Sequence, residues 1–248
     1  MANAANQFCE SEASNSHPKW KLADAIKWKS FLIVGKFAKL KHRQKNFLLF
    51  KYKDSWVLYN KARIIAAAKA SKIPVDLLAG VAWIEAGGMP DFIDGIAHDV
   101  RSYDWSGPEF VDKYLTVTHH PLRTSVGSIS IQLGNVFKLL GIKPDDVTTK
   151  QRNEMIKCLE TDVFNVNIVA KFLYKLIKHD YPKANTLKLT DDQMIVVASR
   201  YNRGTQRKLV DYVASIKARK GEVIRKYSEY GRSLLRRRER IQKIFLNN

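Results

Sequence analysis

Apolar residues recur every three or four positions along most of the chain from Trp56 onward, a spacing typical of amphipathic helices. It predicts an alanine-rich helix in VLYNKARIIAAAKAS. It also predicts a more apolar helix in VDLLAGVAWIEA, with Pro74 in its first turn and Gly87 and Gly88 at its end. The chain has only 7 prolines and 12 glycines, so its composition favours long helices.

The second half of the chain continues this helical pattern. Helical spacing resumes near Ser125 and runs through SVGSISIQLGNVFKLLG to Gly141. Further helices are predicted at about 149–158, in DVFNVNIVAKFLYKLIKHD, at about 190–201 and across 206–243. Residues 89–124 break the pattern and predict a long connection with room for one short helix. A connection of this length in a compact domain usually has a function.

The formal net charge of +19 predicts attraction to polyanions. Nucleic acid, an anionic membrane and the bacterial envelope all qualify, and charge alone does not separate them. The charge is segregated, however. Residues 76–125 hold eight acidic and three basic side chains, whereas both flanks are basic. Such an acidic centre beside the densest motif is unusual in a simple nucleic-acid binder.

These patterns predict an all-α fold in four parts. Residues 1–18 are a flexible leader, and 19–55 are a basic amphipathic N-terminal segment. Residues 56–205 are the main domain, and 206–248 are basic C-terminal helices packed on it. The segment 19–55 is either a solvated basic face with a buried stripe or an element that lies on a membrane surface.

The two cysteines, Cys9 and Cys158, match no metal-binding spacing, and two unpaired thiols are expected. The N-terminus lacks the apolar core of a secretory signal. The sequence also contains no run of about 18 apolar residues, the length that a membrane-spanning helix needs. The expectation is a monomer made in the cytoplasm without a signal peptide and without a transmembrane segment.

Glu85 is the first candidate for catalysis. It ends an apolar helix, where Val81, Ala82 and Ile84 would desolvate its carboxyl and the helix dipole disfavours an anion. Both effects predict a raised pKa, and a carboxyl that stays protonated can protonate a glycosidic oxygen. The alternative is an ordinary solvated glutamate at the end of a helix.

Four motifs then follow in the order IEAGG, SVGSISIQLG, FNVNIVAKFLYKLI and SRYNRG. In this order and spacing they resemble the lysozyme-like superfamily of soluble lytic transglycosylases and goose-type lysozymes. The resemblance covers about residues 74–205. The sequence departs from many members at Ala86, where they have serine, and in the run Ile129-Ser130-Ile131.

The resemblance implies a lysozyme-like helical domain and roles for five residues. Glu85 corresponds to the family's general acid and base. Ser125 corresponds to the serine beside that carboxylate, and Gln132 to the glutamine that lines the sugar cleft. Tyr201 and Asn202 correspond to the Tyr-Asn pair that faces the catalytic glutamate.

A second carboxylate would decide the reaction type. Asp91, Asp94, Asp99 and Asp104 follow Glu85 in the long connection, and Asp94 and Asp104 are the favoured candidates. With one of them in the cleft, an inverting hydrolysis is expected, because such enzymes hold water between two carboxyls. Without one, the family's lytic route applies, in which the sugar's own 6-hydroxyl closes a 1,6-anhydro ring.

The expected activity is cleavage of peptidoglycan glycan strands between N-acetylmuramic acid and N-acetylglucosamine. No cofactor is expected, and no metal, because His119 and His120 are adjacent and lack supporting ligands. One alternative is a basic nucleic-acid-binding protein or nuclease toxin. Another is a membrane-disrupting protein that acts through residues 19–53.

The amino-acid sequence of this motif region also resembles antibacterial effectors of Gram-negative bacteria, of the kind delivered by type VI secretion. This resemblance implies a toxin that acts in the periplasm of a target bacterium. It implies a cognate immunity protein as a partner. A component of the secretion machine is the other protein partner expected, and no nucleic-acid partner is expected.

Overall fold

The computed structural model describes residues 42–87 and 121–246. Of these, 72% are helical and 2% lie in strands, which confirms the predicted all-α class. The helices are α1 (His42–Tyr59), α2 (Lys61–Ala70), α3 (Val75–Glu85), α4 (Leu133–Leu139), α5 (Thr149–Leu159), α6 (Asp162–Asp180), α7 (Asp191–Arg203), α8 (Leu209–Lys217), α9 (Glu229–Leu235) and α10 (Arg238–Leu246). Short 3₁₀ turns lie at Pro121–Arg123, Pro144–Asp146 and Val223–Ser228.

Helices α5, α6 and α7 confirm the predictions at 149–158, 162–180 and 190–201. Two of them begin at capping boxes. The Thr148 side chain accepts from the backbone N–H of Gln151, and the Gln151 side chain accepts from the backbone N–H of Thr148. Thr190 and Gln193 repeat the arrangement at the start of α7. Each box satisfies backbone donors that the first turn of a helix leaves without a partner.

The predicted helix from Ser125 to Gly141 is wrong in its first half. Strands β1 (Ser125–Val126) and β2 (Ile131–Gln132) pair antiparallel there, and α4 begins only at Leu133. The turn between the strands contains Gly127 at φ +89°, a left-handed conformation that ends a helix or strand. The β-branched residues on either side suit short strands better than a helix.

The predicted helical region at 206–243 consists of three separate helices, α8, α9 and α10. Helix α8 ends at Lys217, and a 3₁₀ turn at Val223–Ser228 separates it from α9 and α10. Gly221, at φ +103°, lies in the connection and breaks the helical path. Nearer the N-terminus, α1 continues from residue 55 into residue 56 without a break, where the sequence predicted the boundary between the basic N-terminal segment and the main domain.

The described residues fall into two compact units. The first contains residues 42–55, 85–87 and 121–168. Its core includes Phe137 of α4 and Leu159 of α5, both buried. Packing of this kind is the main source of helix stability in a folded domain.

Cys158 on α5 is also buried in the first unit, and it is disulfide-bonded. The expectation of two unpaired thiols is therefore wrong. The sequence has one other cysteine, Cys9, which lies outside the described residues. Sequence spacing did not reveal this bond, because two cysteines so far apart match no disulfide framework.

The second unit contains residues 56–84 and 169–246. Helix α7 is its centre and packs against α8, α9 and the 3₁₀ turn between them. Gly231 of α9 donates its backbone N–H to the Ser199 hydroxyl at 3.1 Å, so the two helices approach closely at that point. No helix among residues 42–87 and 121–246 has the length and apolar character needed to cross a membrane.

Candidate functional site

Glu85 is the last residue of α3, and its side chain is half-buried. The helix before it is buried from residue 77 to residue 83, and Ala86 directly after it is also buried. Gly87 then takes φ +85° and turns the chain away from the helical path. The carboxyl-bearing residue therefore ends a buried helix at a sharp turn, as the sequence predicted.

Lys53 fixes the backbone directly after Glu85, and sequence analysis missed it. Its ammonium group donates to the carbonyl oxygen of Ala86 at 2.5 Å, and only 7% of the residue is exposed. A cation at this end of a helix also interacts favourably with the helix dipole. The spacing of residues in the sequence could have indicated this burial. Lys53 precedes the buried Trp56 by three residues, and residues three apart lie on the same face of a helix.

Ser125 and Gln132 are brought together by the two-stranded sheet. They are direct partners across β1 and β2, and Val126 and Ile131 are the next pair. Val126 and Ile131 are buried, whereas Ser125 is half-buried and Gln132 is exposed. Because directly opposed residues share a face, Ser125 and Gln132 present a hydroxyl and an amide on the open face of the hairpin.

Asn165 on α6 holds the turn of this hairpin. Its side-chain oxygen accepts from the Ile129 backbone N–H at 2.8 Å, and its side-chain nitrogen donates to the Ile129 carbonyl at 3.4 Å. Asn165 is fully buried, so both bonds form away from water. A second link joins the same elements, from the Ser128 hydroxyl to the Asp162 carboxylate at 2.9 Å.

Tyr201 and Asn202 lie in the last turn of α7, in the second unit. The Tyr201 ring is half-buried and meets the Phe172 ring edge-on, with 5.9 Å between their centroids. Asn202 is exposed. Gly204 then ends the helix at φ +80°. The two residues differ in environment, one packed and one open to solvent.

The favoured second carboxylates, Asp94 and Asp104, lie outside the described residues, as do Asp91 and Asp99. Glu85, Ser125 and Gln132 belong to the first unit. Among residues 42–87 and 121–246, no group of three or more His, Cys, Asp or Glu side chains could hold a metal ion. Of the predicted site residues, the described part of the first unit therefore contains the half-buried carboxyl of Glu85, the hydroxyl of Ser125 and the amide of Gln132.

Comparisons with models of protein families, with curated proteins and with solved structures find no match to this chain. The functional assignment therefore rests on the motifs of the sequence and on the geometry of their residues.

Proposed function

We propose that this protein cleaves the glycan strands of peptidoglycan, with Glu85 as the general acid. The observation that carries the proposal is the position of Glu85 at the end of a buried helix. A half-buried carboxyl followed by a left-handed glycine can be reached by a substrate while part of its surroundings remains apolar. In its protonated form, such a carboxyl can donate to a glycosidic oxygen.

The hairpin supports the sugar-binding part of this proposal. Ser125 and Gln132 share one face of the hairpin, and the buried Asn165 binds the turn between β1 and β2. A hydroxyl and an amide can both donate and accept, which suits the hydroxyl and N-acetyl groups of an amino sugar. A binding face of this kind performs best when it is held rigid by buried hydrogen bonds.

The resemblance to lytic transglycosylases and goose-type lysozymes adds Tyr201 and Asn202 as substrate-binding residues. It also leaves two reactions open. If Asp94 or Asp104 activates a water molecule, the enzyme is an inverting muramidase. If neither does, Glu85 acts first as acid and then as base, and the 6-hydroxyl of the muramic acid attacks the anomeric carbon.

Glu85→Gln tests this proposal, because an amide cannot donate a proton in the same way. Purified wild type should solubilise peptidoglycan sacculi, and the variant should lose about 10²-fold or more of that rate. Glu154→Gln is a matched control, since Glu154 is also half-buried in the first unit and lies on α5. The control should keep the wild-type rate, and equal turnover by Glu85→Gln would exclude Glu85 as the acid.

The proposed biological role is that of an antibacterial toxin that acts on the periplasmic cell wall of a target bacterium. This role rests on the resemblance to effectors delivered by type VI secretion. It predicts a cognate immunity protein that blocks the activity. Co-expression of a neighbouring reading frame that restores growth in the presence of periplasmic toxin would identify that partner.

The net charge of +19 favours a second candidate function, a nucleic-acid-binding protein or nuclease toxin. Binding of that kind weakens steeply as salt rises, because basic side chains displace counterions from phosphates. Tight, salt-dependent DNA binding combined with no release of peptidoglycan fragments would favour this alternative.

A further inference from the structure

A basic pocket lies in the second unit, between the end of α7 and the start of α8. Its volume is about 440 Å³. Six residues line it: Arg203, Gln206, Arg207, Lys208, Asp211 and Tyr212. Three of these side chains are cationic and one is acidic, which leaves two positive charges in excess. The proposed glycan cleavage gives this pocket no role.

Two of the three cations of the pocket are held in place by groups that do not neutralise them. The Arg207 guanidinium stacks on the Tyr227 ring, 3.7 Å from its centroid. Arg203 donates to the backbone carbonyl of Lys226 at 3.0 Å. Within residues 42–87 and 121–246, neither arginine nor Lys208 forms an ion pair. Their charge is therefore available to a ligand.

A buried ion pair supports the loop that forms the pocket. Arg200 binds both carboxylate oxygens of Asp180, at 2.8 Å each, and both side chains are almost fully buried. The same guanidinium donates to the backbone carbonyl of Arg207. Because Asp180 already compensates the charge of Arg200, this arginine serves to position the loop. The buried Arg200 therefore holds the pocket loop in position before a ligand binds.

The N-terminus of α8 adds to the positive potential. This helix is nine residues long, and no side chain caps its start at Lys208. The first N–H groups of a helix lack partners within it, and together with the helix dipole they attract anions. Asp211 in the first turn reduces this effect but does not cancel the three cations.

Tyr212 gives an independent indication of a ligand. The residue is fully buried and lines the pocket, yet its hydroxyl has no hydrogen-bond partner in the described part of the chain. Burial raises the pKa of this hydroxyl, while the charges of Arg200, Arg203 and Arg207 oppose the rise. A buried hydroxyl without a partner costs free energy, so a bound acceptor would remove a penalty.

We propose that this pocket binds a phosphate group. A dianion matches the two excess positive charges of the lining residues. Arg207 and Lys208 supply the charge, the start of α8 supplies backbone N–H groups, and the Tyr212 hydroxyl donates to a phosphate oxygen. A planar monoanion such as acetate would use fewer of these donors.

Inorganic phosphate is the first probe, added to the full chain at constant ionic strength and followed by isothermal titration calorimetry. One saturable site is expected, and Arg207→Gln/Lys208→Gln should weaken it about tenfold or more. Lys220→Gln/Lys243→Gln removes the same charge from exposed positions of this unit and should bind as wild type does. Absence of saturable binding, or equal loss in both double variants, would overturn the proposal.

Tyr212→Phe separates binding from folding. The substitution removes a hydroxyl without a partner, so the melting temperature without phosphate should not fall. The stabilisation produced by phosphate should shrink, because the ligand loses one donor. Unchanged stabilisation by phosphate would contradict the assigned role of this hydroxyl.

Two sources could present a phosphate group to the pocket, a soluble phosphomonoester and a lipid headgroup. Glycerol 3-phosphate and phosphatidylcholine vesicles that contain phosphatidic acid distinguish them. Binding of the first indicates a soluble or polymer-borne phosphate, and binding of the vesicles alone indicates a lipid. Failure of both would overturn the proposal. Neither assay contains peptidoglycan, so the result is independent of the proposed glycan cleavage.

Discussion

The side chain of Asn165 forms hydrogen bonds with both backbone groups of Ile129, across 36 positions of sequence. Through these bonds α6 holds the turn that connects Ser125 with Gln132. The proposed substrate-binding face of the hairpin therefore depends on this buried amide, together with the bond from Ser128 to Asp162.

Replacing Asn165 with alanine should destabilise the protein by about 1–3 kcal/mol, because it removes the buried partner of the Ile129 N–H. Chemical denaturation measures this loss. Asn167→Ala is the control, since Asn167 is half-buried and donates only to a carbonyl one turn earlier in its own helix. If the two variants lose equal stability, the hairpin does not depend on Asn165.

Gly127→Ala should be more destabilising than Gly141→Ala. Both glycines have positive φ, so both substitutions strain the backbone. At Gly127, however, an added Cβ would also lie 2.5 Å from the Leu159 carbonyl oxygen and within the Asn165 side chain, whereas at Gly141 nothing lies within 4 Å. The difference in unfolding free energy between the variants measures the packing of the turn. A difference near zero would show that the turn can relax.

Breaking the ion pair of Arg200 and Asp180 should cost about 3–5 kcal/mol, because Arg200→Gln leaves a buried carboxylate without its main partner. The exposed pair of Arg236 and Glu229 offers a comparison, since its two side chains are 55% and 54% exposed. Arg236→Gln should cost at most about 1 kcal/mol. Thermal unfolding of the two variants compares these values directly. A mild effect of Arg200→Gln would mean that the pocket loop has other support.

Stability should fall above pH 10. Burial, together with the nearby charges of Asp180 and Asp192, raises the pKa of Tyr181 to about 12. An unfolded chain releases this proton near pH 10, whereas the folded chain retains it. The stability that Tyr181 contributes is therefore fully present below about pH 10 and is lost as the pH rises to about 12. Absorbance of the phenolate during a pH titration follows the ionisation. Burial also raises the pKa of Tyr212, so Tyr181→Phe should remove one of two late-titrating groups. A phenolate titration curve that this substitution leaves unchanged at high pH would contradict the prediction.

Helices with clear local signals were predictable from the sequence. Thr148 and Thr190 each precede a glutamine by three residues and begin α5 and α7, as a capping box predicts. Glu85 ends α3 one residue before the point at which the predicted helix stopped. These features depend on residues close together in the chain.

Features that depend on distant contacts were not predictable. The hairpin at Ser125 is stabilised by Asn165 from another helix, and apolar spacing alone resembled a helix in that region. Lys53 was assigned to a basic segment, although its ammonium binds the Ala86 carbonyl 33 residues away. The phosphate pocket combines a loop, a helix start and a buried tyrosine, none of which forms a motif in the sequence.

Mass spectrometry of digested peptidoglycan sacculi tests the central claim most directly. Wild type should release muropeptides cut between N-acetylmuramic acid and N-acetylglucosamine, with 1,6-anhydro ends if the reaction is lytic and reducing ends if water attacks. Glu85→Gln should release neither, while remaining folded. Intact glycan strands after treatment with wild type, or the same products from Glu85→Gln, would contradict the proposed function.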